Sequence, residues 1–133
     1  MLQPKEIFVI QERCMGCHSC ELACAVAHSA KKSLYDALSE RPRPKKRVYI
    51  EWVAPDKNVP IVCRHCEDAP CLNACISGAI SRNSKGAVLT DDQKCIGCWT
   101  CVMMCPFGVI GRHMEKRIAY RCDRCLDQSE LAC

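Results

Sequence analysis

The stretch Cys95-Ile-Gly-Cys-Trp-Thr-Cys-Val-Met-Met-Cys-Pro106 decides how this chain must fold, because it sets four cysteines at the spacing C-x2-C-x2-C-x3-C. Three thiols so close together wrap around one centre, whereas structural zinc sites usually draw two ligands from each of two separate knuckles. The spacing favours an iron–sulfur cube, in which each cysteine binds a different iron. Gly97 stands directly before the second cysteine and predicts a tightly wound loop.

The other cysteines of the chain extend this pattern into four groups. The chain has 15 cysteines in 133 residues, an odd count that argues against a disulfide framework. No secretion signal opens the sequence, so we predict a cytoplasmic protein, which a partner could attach to a membrane. No apolar run is long enough for direct membrane insertion. The groups outside the opening stretch are Cys14, Cys17, Cys20 and Cys24; Cys63, Cys66, Cys71 and Cys75; and Cys122, Cys125 and Cys133.

The side chains available for a hydrophobic core are few. Only two Phe, two Trp and three Tyr occur, so the metal centres must replace part of an ordinary core. The pattern predicts an α+β fold of short β-hairpins and short helices. We expect strands at 7–10, 48–53 and 118–120, a hairpin over 79–89, a helix over 20–32, and helical turns following Cys71 and Cys101.

Two stretches carry a resemblance to a known family. Arg13-Cys-Met-Gly-Cys-His-Ser-Cys-Glu-Leu-Ala-Cys24 and Cys63-Arg-His-Cys-Glu-Asp-Ala-Pro-Cys71 resemble motifs of the four-cluster ferredoxin-like electron-transfer subunits of oxidoreductases. Within that family, the chain looks most like the iron–sulfur proteins associated with nickel carbon monoxide dehydrogenase. The resemblance implies tandem bacterial-ferredoxin-like modules: an inner two-cluster module at 60–111, an outer module from 5–30 plus 115–133, and an insertion at 31–59 with a basic arm and a strand.

The same resemblance implies which cysteines share a cluster, because paired groups of this family exchange their last cysteine. It implies three to four [4Fe-4S] clusters, and the site without a fourth ligand would hold a three-iron or an incomplete cluster. That missing ligand would lie shortly beyond Cys133, so we expect the sequence to stop short of it. The implied sets are Cys63, Cys66, Cys71 and Cys105; Cys95, Cys98, Cys101 and Cys75; Cys122, Cys125, Cys133 and Cys24; and the incomplete Cys14, Cys17 and Cys20.

The function implied is electron transfer without catalysis by the chain itself. The sequence has no phosphate-binding glycine loop, nucleophile elbow or recognisable pair of catalytic carboxylates. By resemblance, the chain relays electrons from carbon monoxide dehydrogenase to a hydrogenase or a flavin-dependent reductase. One alternative is the iron–sulfur subunit of a molybdopterin oxidoreductase such as formate dehydrogenase. Another is a zinc-binding structural protein.

Two further features lie outside the cysteines. The run Arg41-Pro-Arg-Pro-Lys-Lys-Arg47 is either a solvated loop or a docking arm for an acidic partner, formed by Arg41, Arg43, Lys45, Lys46 and Arg47. No nucleic-acid recognition fold accompanies it, so we expect no nucleic-acid partner. His18 and His65 lie inside cysteine loops, where they either tune a cluster by hydrogen bonding or are ordinary loop residues.

Overall fold

The computed structural model describes residues 5–133 as an α+β chain of short elements, in agreement with the predicted class. A 3-10 turn at Gln11–Arg13 precedes the first helix. The helices are α1 (Ser19–Ala27), α2 (Leu34–Ser39), α3 (Pro70–Asn73) and α4 (Thr100–Met104). The strands are β1 (Val48–Ala54), β2 (Lys57–Val62), β3 (Ile80–Arg82), β4 (Val88–Thr90), β5 (Gly111–His113) and β6 (Ile118–Tyr120).

The strands form three separate antiparallel hairpins, β1–β2, β3–β4 and β5–β6. Val48 lies opposite Val62 in the first, Ser81 opposite Leu89 in the second, and Arg112 opposite Ala119 in the third. The turn of the β3–β4 hairpin is fixed by Asn83, whose side-chain oxygen accepts hydrogen bonds from the backbone N–H groups of Lys85 and Ala87.

Most of the predicted elements are present. The strand at 48–53, the hairpin over 79–89 and the strand at 118–120 all form, and α3 and α4 contain the expected helical turns at Cys71 and Cys101. The strand predicted at 7–10 is wrong, because these residues pair with no other described strand, and the side chains of Phe8, Val9 and Ile10 are exposed.

The helix predicted over 20–32 is correct at its start but too long. It ends at Ala27, because the next two side chains turn back onto it: His28 bonds the carbonyl of Cys24, and the Ser29 hydroxyl donates to the carbonyl of Val26. Lys32 then adopts a left-handed φ of 52°. Three elements of the structure, α2, β2 and β5, were not predicted from the sequence.

Two groups of buried residues form the interior, and both contain cysteine. The first joins Ala69, Ile80, Val88, Cys101, Ile110 and Ala119, with further half-buried cysteines packed against it. The second joins Cys24, Val48, Val62 and Cys122. Cysteine therefore occupies positions that aliphatic side chains fill in most domains of this size. None of the helices described between residues 5 and 133 has the length and apolar character needed to cross a membrane.

Candidate metal centres

The first candidate centre is a small cavity beside the β3–β4 hairpin. Its lining includes four cysteines from two sequence groups: Cys63, Cys66, Cys71 and Cys105. Burial raises the pKa of the Cys63 thiol, and the charges of Cys71 and Cys105 act in the same direction. A thiol that resists ionisation by itself is suited to a metal, which displaces the proton when it binds.

The second candidate centre is a small cavity between α4 and the β3 and β6 strands. Its cysteines are Cys75, Cys95, Cys98 and Cys101. Here too the last cysteine of one group, Cys75, joins the first three of another. The backbone N–H of Ala119 donates to the Cys95 sulfur at 3.4 Å, and the Thr100 hydroxyl donates to the Cys98 sulfur at 3.5 Å.

The third set of cysteines lies at the second buried group, the one that contains Val48 and Val62. Its members are Cys24, Cys122, Cys125 and Cys133. Cys24, Cys122 and Cys125 are buried, whereas Cys133 is exposed. Burial raises the pKa of the Cys122 thiol to about 12, helped by the charges of Asp123, Cys63 and Cys133. Although Cys133 as a residue is exposed, partial desolvation of its thiol raises its pKa, and the charges of Cys24 and Cys125 raise it further. Cys133 therefore lies close enough to the other three members of the set to interact with them electrostatically.

The remaining thiols, Cys14, Cys17 and Cys20, lie in the loop before α1 and at its first turn. Cys17 is exposed, and the other two are half-buried. Burial raises the pKa of Cys20, and Cys14 contributes in the same direction. Cys20 also contributes to the raised pKa of Cys133. Through Cys20, this group borders the third set, and no fourth cysteine joins it within the described residues.

The two C-x2-C-x2-C loops share the same backbone conformation. Gly16 and Gly97 have positive φ values of 71° and 68°. His18 and Trp99 follow the second cysteine, have left-handed φ values of 59° and 63°, and lead directly into α1 and α4. A Cβ at Gly97 would lie 2.5 Å from the carbonyl oxygen of Arg117, so this position excludes every side chain.

All 15 thiols are free, and their grouping into three sets of four and one set of three fits iron better than disulfides. Comparison with known proteins decides the family: residues 56–133 match the 4Fe-4S dicluster domain. The chain belongs to this family. It binds multiple [4Fe-4S] clusters, as the cysteine pattern predicted.

Curated relatives extend the similarity beyond the matched residues. The chain is 40% identical over 134 residues to an iron-sulfur protein of Rhodospirillum rubrum, covering 91% of this chain and 68% of that protein. It is 43% identical over 105 residues to the electron transport protein HydN of Escherichia coli (strain K12), covering 77% of this chain and 58% of HydN.

A third relative is the thiosulfate reductase electron transfer subunit PhsB of Salmonella typhi, 34% identical over 126 residues. The match covers 88% of this chain and 60% of PhsB. The chain therefore spans less than two thirds of HydN and of PhsB. These names agree with the electron-transfer class predicted from the sequence.

A polar network beside the third cysteine set escaped the sequence analysis. His28 lies 3.1 Å from the carboxylate of Asp123, which also pairs with Arg47. Burial alone favours a neutral ring, but Asp123 and the Cys24 sulfur raise the pKa of His28 to about 10. Burial opposes ionisation of Asp123, yet His28 and Arg47 lower its pKa to about 2. The network is therefore charged and holds α1 against the Cys122 loop.

Two arginines near the first cavity were also missed. Arg121 is 3% exposed, and one of its N–H groups donates to the Cys71 sulfur at 2.9 Å. Arg82 donates from β3 to the carbonyls of Cys66 and Glu67 and, at 3.4 Å, to that of His65. The position of Arg121 directly before Cys122 was the only feature of the sequence that could have indicated its role. Nothing in the sequence connects Arg82 with the Cys63 loop.

The basic arm requires a correction. Lys46 forms an ion pair with Glu21 of α1 at 2.7 Å, and Arg47 pairs with Asp123. These two cations fasten β1 to the rest of the protein, and their charge is neutralised. Arg41, Arg43 and Lys45 are exposed and form no ion pair with the residues that the structure describes. Of the five basic residues that the sequence assigned to a docking arm, only Arg41, Arg43 and Lys45 are therefore exposed and available to a partner.

Proposed function

We propose that this protein relays single electrons between a catalytic partner and a second redox protein. The cavity bounded by Cys63, Cys66, Cys71 and Cys105 carries the proposal, because it gathers four thiols and no carboxylate. A second cavity with four thiols lies across the same buried core. Neighbouring clusters in one small protein suit electron conduction, since each cluster exchanges one electron without bond breaking.

We further propose the cluster ligands. Cys63, Cys66, Cys71 and Cys105 hold one cluster, and Cys75, Cys95, Cys98 and Cys101 hold its neighbour; the two cavities support both sets. The set Cys24, Cys122, Cys125 and Cys133 holds a third, supported by the burial of its first three members and by the effect of Cys24 and Cys125 on the pKa of Cys133. The three thiols Cys14, Cys17 and Cys20 hold a three-iron or incomplete cluster, or a cube completed by a ligand from elsewhere.

The modular organisation is part of the same proposal. Residues 60–111 form an inner ferredoxin module, residues 5–30 and 115–133 an outer one, and residues 31–59 an insertion. Support comes from the two separate buried groups, one centred on Cys101 and the other on Cys24 and Cys122. In this arrangement the outer module is completed only after the inner one has been synthesised.

The proposal of iron over zinc is tested by anaerobic purification followed by iron, sulfide and zinc analysis. We expect iron and acid-labile sulfide in equal amounts, a brown colour that bleaches with dithionite, and paramagnetic signals of reduced clusters. A colourless protein that contains zinc and little iron would contradict the proposal and favour the structural alternative.

The partner is tested by direct reduction. We propose nickel carbon monoxide dehydrogenase as the donor, and a hydrogenase or flavin-dependent reductase as the acceptor. With carbon monoxide and purified dehydrogenase, the cluster absorbance is expected to bleach at a rate that depends on donor concentration. Bleaching only with formate and formate dehydrogenase would instead favour the molybdopterin alternative.

Docking through the basic arm is the part of the proposal that concerns Arg41, Arg43 and Lys45. Exposed cations attract an acidic partner surface, and salt screens this attraction within about 10 Å at 0.1 M. Changing all three to Ala is expected to slow reduction by the active donor about tenfold at low salt. At high salt the difference should disappear.

The matched control for the arm removes three other exposed cations, Lys57, Lys85 and Arg112. It loses the same total charge from other surfaces. Equal slowing by the two triple variants would show that net charge, and not the arm, controls association.

A further inference from the structure

Two buried N–H groups without partners border the first cavity. The Nε2 atom of His65 and the Nη2 atom of Arg121 are enclosed by protein and bond to no described atom. Both residues line the cavity of Cys63, Cys66, Cys71 and Cys105. A buried donor without an acceptor costs about 1–3 kcal/mol, so two donors beside one cavity indicate an acceptor inside it.

The hydrogen bonds of His65 fix which ring nitrogen carries the proton. The backbone N–H of Val88 donates to Nδ1 at 3.0 Å, so Nδ1 is an acceptor. The ring proton of neutral His65 therefore lies on Nε2, the atom without a partner. The β3–β4 hairpin thus holds the ring in one orientation with its donor unused.

Arg121 adds a positive charge to the same cavity. Its Nε donates to the Thr90 hydroxyl at 3.2 Å, and its Nη1 donates to the Cys71 sulfur at 2.9 Å. No carboxylate among the described residues pairs with it, although it is 3% exposed. A buried cation requires a nearby negative charge, and a thiolate-ligated cluster supplies one.

The second cavity lacks these features. Its lining contains no charged side chain, and its sulfurs accept hydrogen bonds from neutral groups such as the Ala119 amide and the Thr100 hydroxyl. Arg121 does not line this cavity, although its Nε bonds Thr90 at the edge of the cavity and its charge acts on Cys101 from there. Each of the two inner sites therefore has four cysteine ligands of its own, but the side chains around those ligands differ. Hydrogen bonds that involve a charged group are roughly twice as strong as neutral ones, and a low dielectric strengthens them further.

We propose that Arg121 and His65 make the Cys63/Cys66/Cys71/Cys105 cluster the more easily reduced of the two inner clusters. The inference rests on the proposed function, since it requires clusters at both sites. One electron from the neighbouring reduced cluster, or from dithionite in vitro, enters this cluster and increases its negative charge. The guanidinium and the imidazole N–H stabilise the reduced form, and both keep their protons. Electrons would consequently collect at this site before they leave the protein.

The experiment is an anaerobic redox titration of the loaded protein followed by EPR spectroscopy. Cys66→Ala identifies the signal of this cluster by removing it. In Arg121→Met, we expect at least a tenfold lower ratio of reduced to oxidised cluster at the potential that half-reduces the original protein. For a one-electron couple this equals a fall of about 59 mV or more. His65→Phe should shift the same signal by less, and Arg112→Met, at an exposed position on β5, should not shift it.

The outcomes distinguish this inference from the proposed function. If Cys66→Ala removes no signal, the ligand assignment fails. If it removes one and Arg121→Met leaves that signal at its original potential, the inference alone is overturned. A shift confined to the other inner cluster would also overturn it. Should Arg121→Met fail to bind iron at this site, Arg121→Lys replaces it: a smaller downward shift is expected, and an unchanged potential is the contrary result.

Discussion

The Cys14–Cys24 and Cys95–Cys105 segments have the same spacing and the same local backbone, but the protein surrounds them differently. In each, a glycine with positive φ precedes the second cysteine, a left-handed residue follows it, and a helix begins. The Cys95 segment faces a cavity closed by Cys75 and Ala119, whereas the first thiols of the Cys14 segment only border the third set. Spacing thus determines the loop, and distant residues determine the site.

The largest expected difference concerns ligand loss. Cys101→Ser should remove a cluster from the first buried group and lower the free energy of unfolding by more than about 4 kcal/mol, because metal and packing are lost together. Cys20→Ser should cost about half as much, because Cys20 is half-buried at the edge of the second group. Anaerobic guanidinium unfolding with iron analysis measures both. Equal losses would show that the two segments are equally integrated.

The glycines of the two loops provide a smaller contrast. Gly97→Ala should destabilise by about 3 kcal/mol, because its Cβ would meet the Arg117 carbonyl, which is backbone and cannot move away. Gly16→Ala should cost about 1–2 kcal/mol, because the atoms met there belong to the movable side chain of Asn58.

Gly78→Ala is the control for this pair of glycines. Its φ is 67°, yet nothing lies within 4 Å of the added Cβ, so only backbone strain contributes. Thermal unfolding of the three variants should rank Gly97→Ala as the least stable, with the other two close together. A Gly97 variant no worse than Gly78→Ala would show that the contact with Arg117 is unimportant.

The smallest effect is expected at the hydroxyls that open the two helices. Thr100 donates to the Cys98 sulfur, and the Ser19 hydroxyl lowers the pKa of Cys17 through the corresponding hydrogen bond. Thr100→Val and Ser19→Ala should each lower the potential of the adjacent cluster slightly, because a neutral donor at an exposed sulfur stabilises the reduced form only weakly. Redox titration should show shifts below that of Arg121→Met. A larger shift from either would place the main tuning at these exposed sulfurs.

Local patterns made part of this structure predictable. Short runs rich in apolar, β-branched and aromatic residues predicted β1 and β6, and the Asn83–Gly86 stretch predicted the β3–β4 turn. Cysteine spacing predicted iron, and the four cysteines around each inner cavity are those that the family resemblance grouped. In contrast, β2 was not predicted, because it contains Pro60. Proline has no N–H to donate and is rare inside strands, so its presence argued against a strand here.

Contacts between distant residues could not be predicted. His28 meets Asp123 across 95 positions, and Arg121 meets Cys71 across 50. Nothing in either local sequence specifies its partner, since such pairs depend on how the whole chain packs. The failed strand at 7–10 has the same origin: its residues favour an extended conformation, but no strand within residues 5–133 pairs with them.

The arginine of β3 ties the shape of a hairpin to the shape of a metal-binding loop. Arg82 joins a hairpin that contains no cysteine to the carbonyls of residues 65–67 in the first cluster loop. Because neither strand of this hairpin supplies a metal ligand, iron does not bond to it directly. We expect Arg82 to hold the backbone between Cys63 and Cys66 in its bent form, so that the first cluster loop keeps one conformation when its cluster changes charge.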